Sequence, residues 1–141
     1  MIFKKQKIEG VHLILPESHE DERGVFRRHF CAKEFSDNGI VNKVEQANIS
    51  ENKSKYTLRG FHYQVNEHQE GKTISCISGK IYEVVLDIRK SSSTFKQWVS
   101  FELDSKNKQS VHIPPGCAHA YLTLEDNSVV HYYCSKSYAP K

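Results

Sequence analysis

The chain has 141 residues, of which 38% are hydrophobic and 26% charged. This is the composition of one globular domain with chain enough for a single core, not of a disordered or collagen-like sequence. Twenty Lys and Arg against 17 Asp and Glu leave a formal charge of +3, too small an excess for a nucleic-acid footprint.

In chain order the sequence reads as short extended runs separated by turn signals. Residues 8–15 are rich in apolar side chains and close at Pro16. Asp21-Glu22-Arg23-Gly24 is a polar turn, and 25–30 follow as an extended run. Residues 32–37 form the one expected helix, with Asn38-Gly39 as its left-handed stop. Further runs are expected at 44–48, 57–64, 72–77, 80–89, 97–103, 109–113, 118–124 and 128–135. In the run 80–89, period two puts Tyr82, Val84, Leu86 and Ile88 on one face and Ile81, Glu83, Val85 and Asp87 on the other. The second, mixed face suggests a side that lines a cavity or a subunit contact. Many short strands with almost no helix predict an all-β sandwich or small barrel of jelly-roll type.

Several classes lack their signatures. The seven glycines form neither GxGxxG nor GxxxxGK[ST], and there is no HExxH or GxSxG. Cysteines 31, 76, 117 and 134 form no CxxC pair. No apolar run approaches the roughly 18 residues of a membrane span, and residues 1–7 have no apolar segment behind their charges. The expected compartment is the cytoplasm, with reduced thiols and no membrane partner.

Three segments concentrate chemistry. The first is Leu58-Arg59-Gly60-Phe61-His62-Tyr63-Gln64 with Glu70-Gly71-Lys72 after it. A proton acceptor beside fixed cations is what enolate chemistry needs, a base for the proton next to a carbonyl and a cation for the oxygen that becomes charged. A solvated polar strand would look the same. In the second, Ile113 to Tyr121, His119 follows a Pro-Pro-Gly turn and reads as a substrate contact, a ligand or a buried hydrogen-bonded histidine. In the third, Tyr132 reads as aromatic packing or as a phenol protonated at pH 7.

Taken together, the chain resembles the nucleotide-sugar 3,5-epimerase family, whose best-known member acts on dTDP-4-dehydro-6-deoxyglucose. The residues that carry the resemblance are Asp21-Glu22-Arg23-Gly24, Gln46, Asn48, the 58–64 segment, Gly71-Lys72, Val85-Leu86-Asp87-Ile88-Arg89, Ser93-Thr94-Phe95, Ile113-Pro114 with Gly116-Cys117-Ala118-His119, Tyr132 and Tyr138-Ala139-Pro140. They run in family order along nearly the whole chain. The resemblance implies a cupin-type jelly roll over one domain, residues 1–141, acting as a homodimer on a nucleotide-diphosphate sugar without metal or other cofactor. It implies that His62 removes the proton alpha to a C4 ketone and that Tyr132 returns one from the opposite face. Lys72, with Arg59 and His119, would stabilise the enolate. Gln46 and Asn48 would line the sugar pocket, while Arg23 and Phe26 would reach the nucleotide of the neighbouring subunit. Strict alternation puts Arg59 and His62 on opposite faces, and Gly60 between them marks the place for a bulge.

Two departures stand out. Relatives continue past the Tyr-x-Pro segment to an aspartate that orients the base histidine, and this sequence stops at Lys141. By face, Asp87 and Glu83 are the candidates for that role, and His62 is otherwise expected to be less well oriented. At position 28 the family's thymidine enzymes carry an acidic residue and this chain has Arg28, which offers donors only. It would suit cytosine, guanine or a phosphate, so the nucleotide need not be dTDP. The competing readings are a 3-only epimerase or related metal-free sugar isomerase, a metal-dependent cupin with His62, Glu67 and His119 as ligands, and a sugar-binding or inactive paralogue.

Overall fold

The extended runs become antiparallel strands. The computed structural model describes residues 1–140, so Lys141, the last residue of the expected domain, lies outside the described residues. In chain order the elements are β1 (Ile2–Lys5), β2 (His12–Leu15), β3 (Ser18–Asp21), β4 (Gly24–Arg27), α1 (Ala32–Asp37), β5 (Gln46–Asn52), β6 (Leu58–His62), a 3-10 turn (Asn66–His68), β7 (Lys72–Ser78), β8 (Lys80–Asp87), β9 (Trp98–Asp104), β10 (Ser110–Ile113), β11 (Cys117–Thr123) and β12 (Ser128–Cys134). Ten of the strands form two sheets in the orders β1-β2-β10-β7-β12-β5 and β6-β11-β8-β9, and β3 pairs only with β4. Among the described residues no helix is long and apolar enough to cross a membrane.

The two sheets bury a common core between their inner faces. Ile74, Ile81, Val85, Leu103, Val111 and Val130 are all fully buried in it. A second cluster covers the outer face of the six-stranded sheet, where α1 sets Phe35 against Ile14 and Ile40, with Phe3 and Phe30 around it. The helix ends as expected at Asn38 and Gly39, whose φ of +70° suits the residue without a Cβ.

β8 shows the two expected alternating faces. The mixed face, Ile81, Glu83, Val85 and Asp87, is the buried one, and Tyr82, Val84 and Leu86 point outward, half-buried. Two buried carboxyl groups are tolerated because both have partners. Asp87 accepts from Arg89, Ser92 and Thr94, bonds that together hold its carboxyl far below the usual carboxylate range. Glu83 is held by His119.

The edges β5 and β6, one from each sheet, lie across from one another. Arg59 on β6 donates through Nε to Asn52 Oδ1 on β5 at 2.7 Å, and Tyr121 on β11 donates to Ser50 Oγ on β5 at 3.0 Å. The cleft opens along this edge.

Candidate active site

A cavity of about 630 Å³ lies between the two sheets, with Gln46, Asn48, His62, Lys72, Tyr132 and Tyr138 among its walls. His62 comes from β6 in one sheet. Tyr132 comes from β12 in the other, paired with Asn48 on β5 and Ile74 on β7. An imidazole and a phenol therefore line one cleft from facing sheets.

The bulge expected at Gly60 decides where His62 points. Arg59 pairs with Tyr121 and Gly60 with Ala120, but the next pair is His62 with His119, leaving Phe61 as the extra residue. Residues opposite one another across an antiparallel pair share a face, so the bulge puts Arg59 and His62 on the same inner side. Gly60 has φ +114°, and a Cβ there would lie 2.6 Å from the His119 carbonyl oxygen and 2.8 Å from Ala120 Cα.

Behind His62 runs a hydrogen-bonded chain. The His62 and His119 rings lie 5.6 Å apart, tilted by 59°. Lys72 Nζ is 3.3 Å from His119 Nε2 and 3.1 Å from Glu70 Oε1. His119 Nδ1 is 2.8 Å from Glu83 Oε1. An ammonium group only donates, so Nε2 of His119 accepts from Lys72, and its proton sits on Nδ1 and is donated to Glu83. Burial pushes the His119 pKa down to about 3, with the Lys72 charge adding to the effect, so the ring is neutral. Burial also raises the Glu83 carboxyl well above its ordinary range, and its second oxygen has no partner.

The groups on the cleft carry shifts that suit proton transfer. Desolvation, then the neighbouring His119 ring and the charges of Lys72 and Arg59, lowers the His62 pKa, so the imidazole is neutral and able to accept. Desolvation raises the Tyr132 pKa against the pull of Lys72, whose Nζ lies 5.1 Å from the ring centroid. The phenol thus keeps its proton.

Other expected site residues lie elsewhere. Arg59 shares the inner face with His62 but is tied to Asn52 at the edge and does not line the cleft. Arg23, Phe26 and Arg28 are carried by the β3–β4 hairpin and the residue after it, away from this cavity. Arg23 pairs with Asp21, Phe26 is 72% exposed, and Arg28 donates to Glu34 at 3.1 Å. Glu83 and Asp87 do not orient His62, since the first holds His119 and the second Arg89, Ser92 and Thr94. His62, Glu67 and His119 do not converge as a ligand set. Glu67 faces His68 at 3.6 Å, both nitrogens of His119 are engaged, and among the described residues no group of three His, Cys, Asp or Glu is arranged around a metal.

A sequence profile described as dTDP-4-dehydrorhamnose 3,5-epimerase matches residues 5–141. The chain belongs to the dTDP-4-dehydrorhamnose 3,5-epimerase family. The enzyme of that name from Methanothermobacter thermautotrophicus is 37% identical over 139 residues, covering 99% of this chain and 74% of the relative. The epimerase of Legionella pneumophila, solved with dTDP-4-keto-L-rhamnose, superposes with a TM-score of 0.93 at 36% identity, over 99% of this chain and 73% of that one. The 3'-monoepimerase ChmJ of Streptomyces bikiniensis, solved with dTDP-quinovose, gives 0.89 at 32% identity, over 96% and 68%. The cupin-type jelly roll expected from the sequence is the fold of this epimerase-family chain.

Two features of the family member's site were not legible as site residues beforehand. Glu70 belongs to the Glu70-Gly71-Lys72 segment, but only the fold shows its carboxylate against the Lys72 ammonium. Gln64 just after β6, Cys134 at the end of β12 and Tyr138 on the chain that returns after β12 also line the cleft. The signal for Glu83 was there, in the carboxylates on the alternating face of β8.

Proposed function

We propose that this chain epimerises the 4-keto-6-deoxy sugar of a nucleoside diphosphate, inverting C3, C5 or both, with the relatives solved with dTDP-linked sugars supporting that substrate class. The observation that carries the reading is the neutral His62 imidazole and the protonated Tyr132 phenol on facing walls of one cavity, with the Lys72 ammonium between the sheets. His62 takes the proton alpha to the C4 ketone. Lys72 and His119 stand where charge develops on the enolate oxygen, and Tyr132 returns a proton from the other face, which inverts the carbon. Gln46 and Asn48 contribute polar wall to the sugar site, and Arg59 adds positive potential from the edge. No redox or group-transfer step is needed, so the scheme requires no cofactor. The test is solvent deuterium incorporation into a 4-keto-6-deoxy nucleotide sugar by the wild type, His62→Ala and Tyr132→Phe. Equal turnover in all three would end these assignments, and binding without exchange in the wild type would favour a sugar-binding protein.

The nucleotide half of the site is assigned to a second copy of the chain, which supplies Arg23, Phe26 and Arg28 within a homodimer. Two features support this. The β3–β4 hairpin is exposed and, among the described residues, pairs with no other strand of its own chain. The outer face of the four-stranded sheet is apolar, with Leu58 67% and Trp98 53% exposed beside Tyr82, Val84, Leu86 and Leu122. Mixing inactive His62→Ala with Arg23→Ala should restore activity through hybrid dimers that hold one intact site, and no recovery would place the hairpin elsewhere. A binding series of dTDP, CDP, GDP and UDP reads the base choice made by Arg28, and clear preference for dTDP would refute an Arg28-directed switch away from thymine. The whole is taken as one domain acting in the cytoplasm, where its four unpaired cysteines would stay reduced.

A further inference from the structure

The chain that follows β12 returns across the mouth of the cleft, and two glutamine side chains hold it there. Its start is pinned to the body: Ser135 N–H donates to the Gly71 carbonyl at 2.9 Å, and Gly71 N–H donates to Ser135 Oγ at 2.8 Å. Beyond that no strand pairing continues. Gln64 takes over with both ends of its amide. Its Nε2 donates to the His68 carbonyl at 2.8 Å and the Ser137 carbonyl at 3.3 Å, and its Oε1 accepts from Ala139 N–H at 2.9 Å. Gln46 Oε1 accepts from Tyr138 N–H between them, also at 2.9 Å. Three consecutive residues, 137–139, are thus fixed to the cleft rim by side chains alone. Tyr138 is 74% exposed, so packing does little to place it, yet it forms part of the wall that holds His62 and Tyr132.

The bonding capacity of Gln64 narrows its role. A primary amide has two N–H donors, and both are taken by carbonyls of this chain. No donor is left for a ligand. The same amide joins the 3-10 turn Asn66–His68 to the returning segment, bridging the two sides of the cleft mouth.

We propose that Gln64 is a positioning residue for the epimerisation: it clamps residues 137–139 as a strap across the cleft and so sets Tyr138 as the wall facing the bound sugar. The inference rests on the reading of this cleft as the sugar site. The strap narrows the opening through which water reaches the enolate and holds the ring plane of the sugar between acid and base, where displacement of about 1 Å costs on the order of 100-fold in rate.

The experiment is a double-mutant cycle on kcat/KM with a 4-keto-6-deoxy nucleotide sugar, using Gln64→Ala, Tyr138→Ala and the pair. Each single change should lower kcat/KM by about 10- to 100-fold, mostly in kcat, and the pair should be no worse than the poorer single within about twofold. The nucleoside diphosphate without sugar should bind Gln64→Ala within about twofold of the wild type. Multiplying single effects would show that Gln64 acts on the substrate directly, and an unchanged Gln64→Ala enzyme, a silent Tyr138→Ala or weakened nucleoside diphosphate binding would each overturn the proposal. Amide hydrogen exchange over 135–140, measured without substrate, keeps the clamp separate from the assigned reaction. Faster exchange of 137–139 in Gln64→Ala, with the sheets unchanged, supports the clamp even if the wild type proves inactive on these sugars, and unaltered exchange rejects it.

Discussion

Replacing Gly60 by alanine tests the placement of the proposed base, His62, more directly than any change to that residue itself. The backbone there has φ +114°, outside the left-handed well that L-residues tolerate, which costs about 1–3 kcal/mol for a residue with a Cβ. The added methyl would also sit 2.6 Å from the His119 carbonyl oxygen and 2.8 Å from both Ala120 Cα and Cβ. These neighbours belong to the central part of β11, so they cannot swing aside, and overpacking of this kind adds about 1–3 kcal/mol. A total of roughly 2–6 kcal/mol corresponds, for a chain of this size, to a fall in Tm of roughly 6–24 °C. Removing the bulge restores alternation and turns His62 away from the face it shares with His119, so turnover should fall by about 100-fold even at a temperature where the variant is folded. Gly39→Ala is the control, since φ is +70° and nothing lies within 4 Å of its added Cβ. It should lose only about 1 kcal/mol and keep full activity. The assays are thermal unfolding and the deuterium-exchange rate. A Gly60→Ala enzyme with wild-type Tm and turnover would refute the argument that the bulge aims His62.

Glu83→Leu leaves the buried His119 Nδ1–H without an acceptor and frees its tautomer, so kcat should fall by about 10- to 100-fold. Glu83→Gln keeps an acceptor and should lose clearly less, whereas equal losses would mean that the carboxyl does not act by holding His119. Lys72→Met removes a cation that disfavours protonation of His62, so the His62 pKa should rise from its lowered position, read by NMR titration of the folded variant, and no movement would detach the two groups. Acid should destabilise the fold below about pH 6.5, because burial holds His29 near 4 and His112 and His119 near 3 while the unfolded chain takes up these protons. The stability these neutral rings contribute is present above pH 6.5 and is lost as the pH falls toward their folded values. His112→Gln should reduce the slope of unfolding free energy with pH by about 1.4 kcal/mol per unit between pH 4 and 6, and an unchanged slope would remove His112 from the account.

Strand order was out of reach of the sequence, but strand positions were largely within it, because alternation and turn residues are local. The helix at 32–37 and the turn at 21–24 appear where apolar spacing and Asn-Gly or Arg-Gly signals put them. The strands β1 and β3 escaped notice because they are short, and the Ser-His-Glu-Asp of β3 is exposed throughout and has no alternation to read. In β8 periodicity correctly separated two faces, but the mixed one, expected to line a cavity or a subunit contact, packs into the core. Partnered carboxyl groups could be buried there, and the apolar side was left for the surface. His12 on β2 and His112 on β10 are buried with no local sign of it, His112 bonded to Thr73 and packed against Phe35 of α1. A polar side chain satisfied by a partner distant in sequence gives no local sign of burial. The same holds for the site. The 58–64 segment announced chemistry, and Gly60 announced the bulge, but the partners of Gln64 and Glu83 depend on contacts that only the closed sandwich creates.

The closed sandwich also explains why one cation serves both ends of the proposed proton path. Inverting a carbon through a planar enolate needs an acceptor on one face and a donor on the other, and two sheets facing across an open edge supply one from each. Lys72, at the start of β7, reaches between them. Its charge disfavours the imidazolium of His62 and favours the phenolate of Tyr132, so it lowers both pKa values. Burial pushes the two groups in opposite directions, helping to keep the imidazole neutral and the phenol protonated. The resting site therefore holds a neutral imidazole and a neutral phenol, and in the proposed reaction the same ammonium would stabilise the enolate and then the phenolate that follows donation. Glu70 balances the Lys72 charge at rest, and the Glu83–His119 pair fixes the ammonium from behind without adding charge of its own at Nε2. Negative charge thus appears next to Lys72 only as the reaction proceeds, and electrostatic stabilisation is greatest where it lowers the barrier.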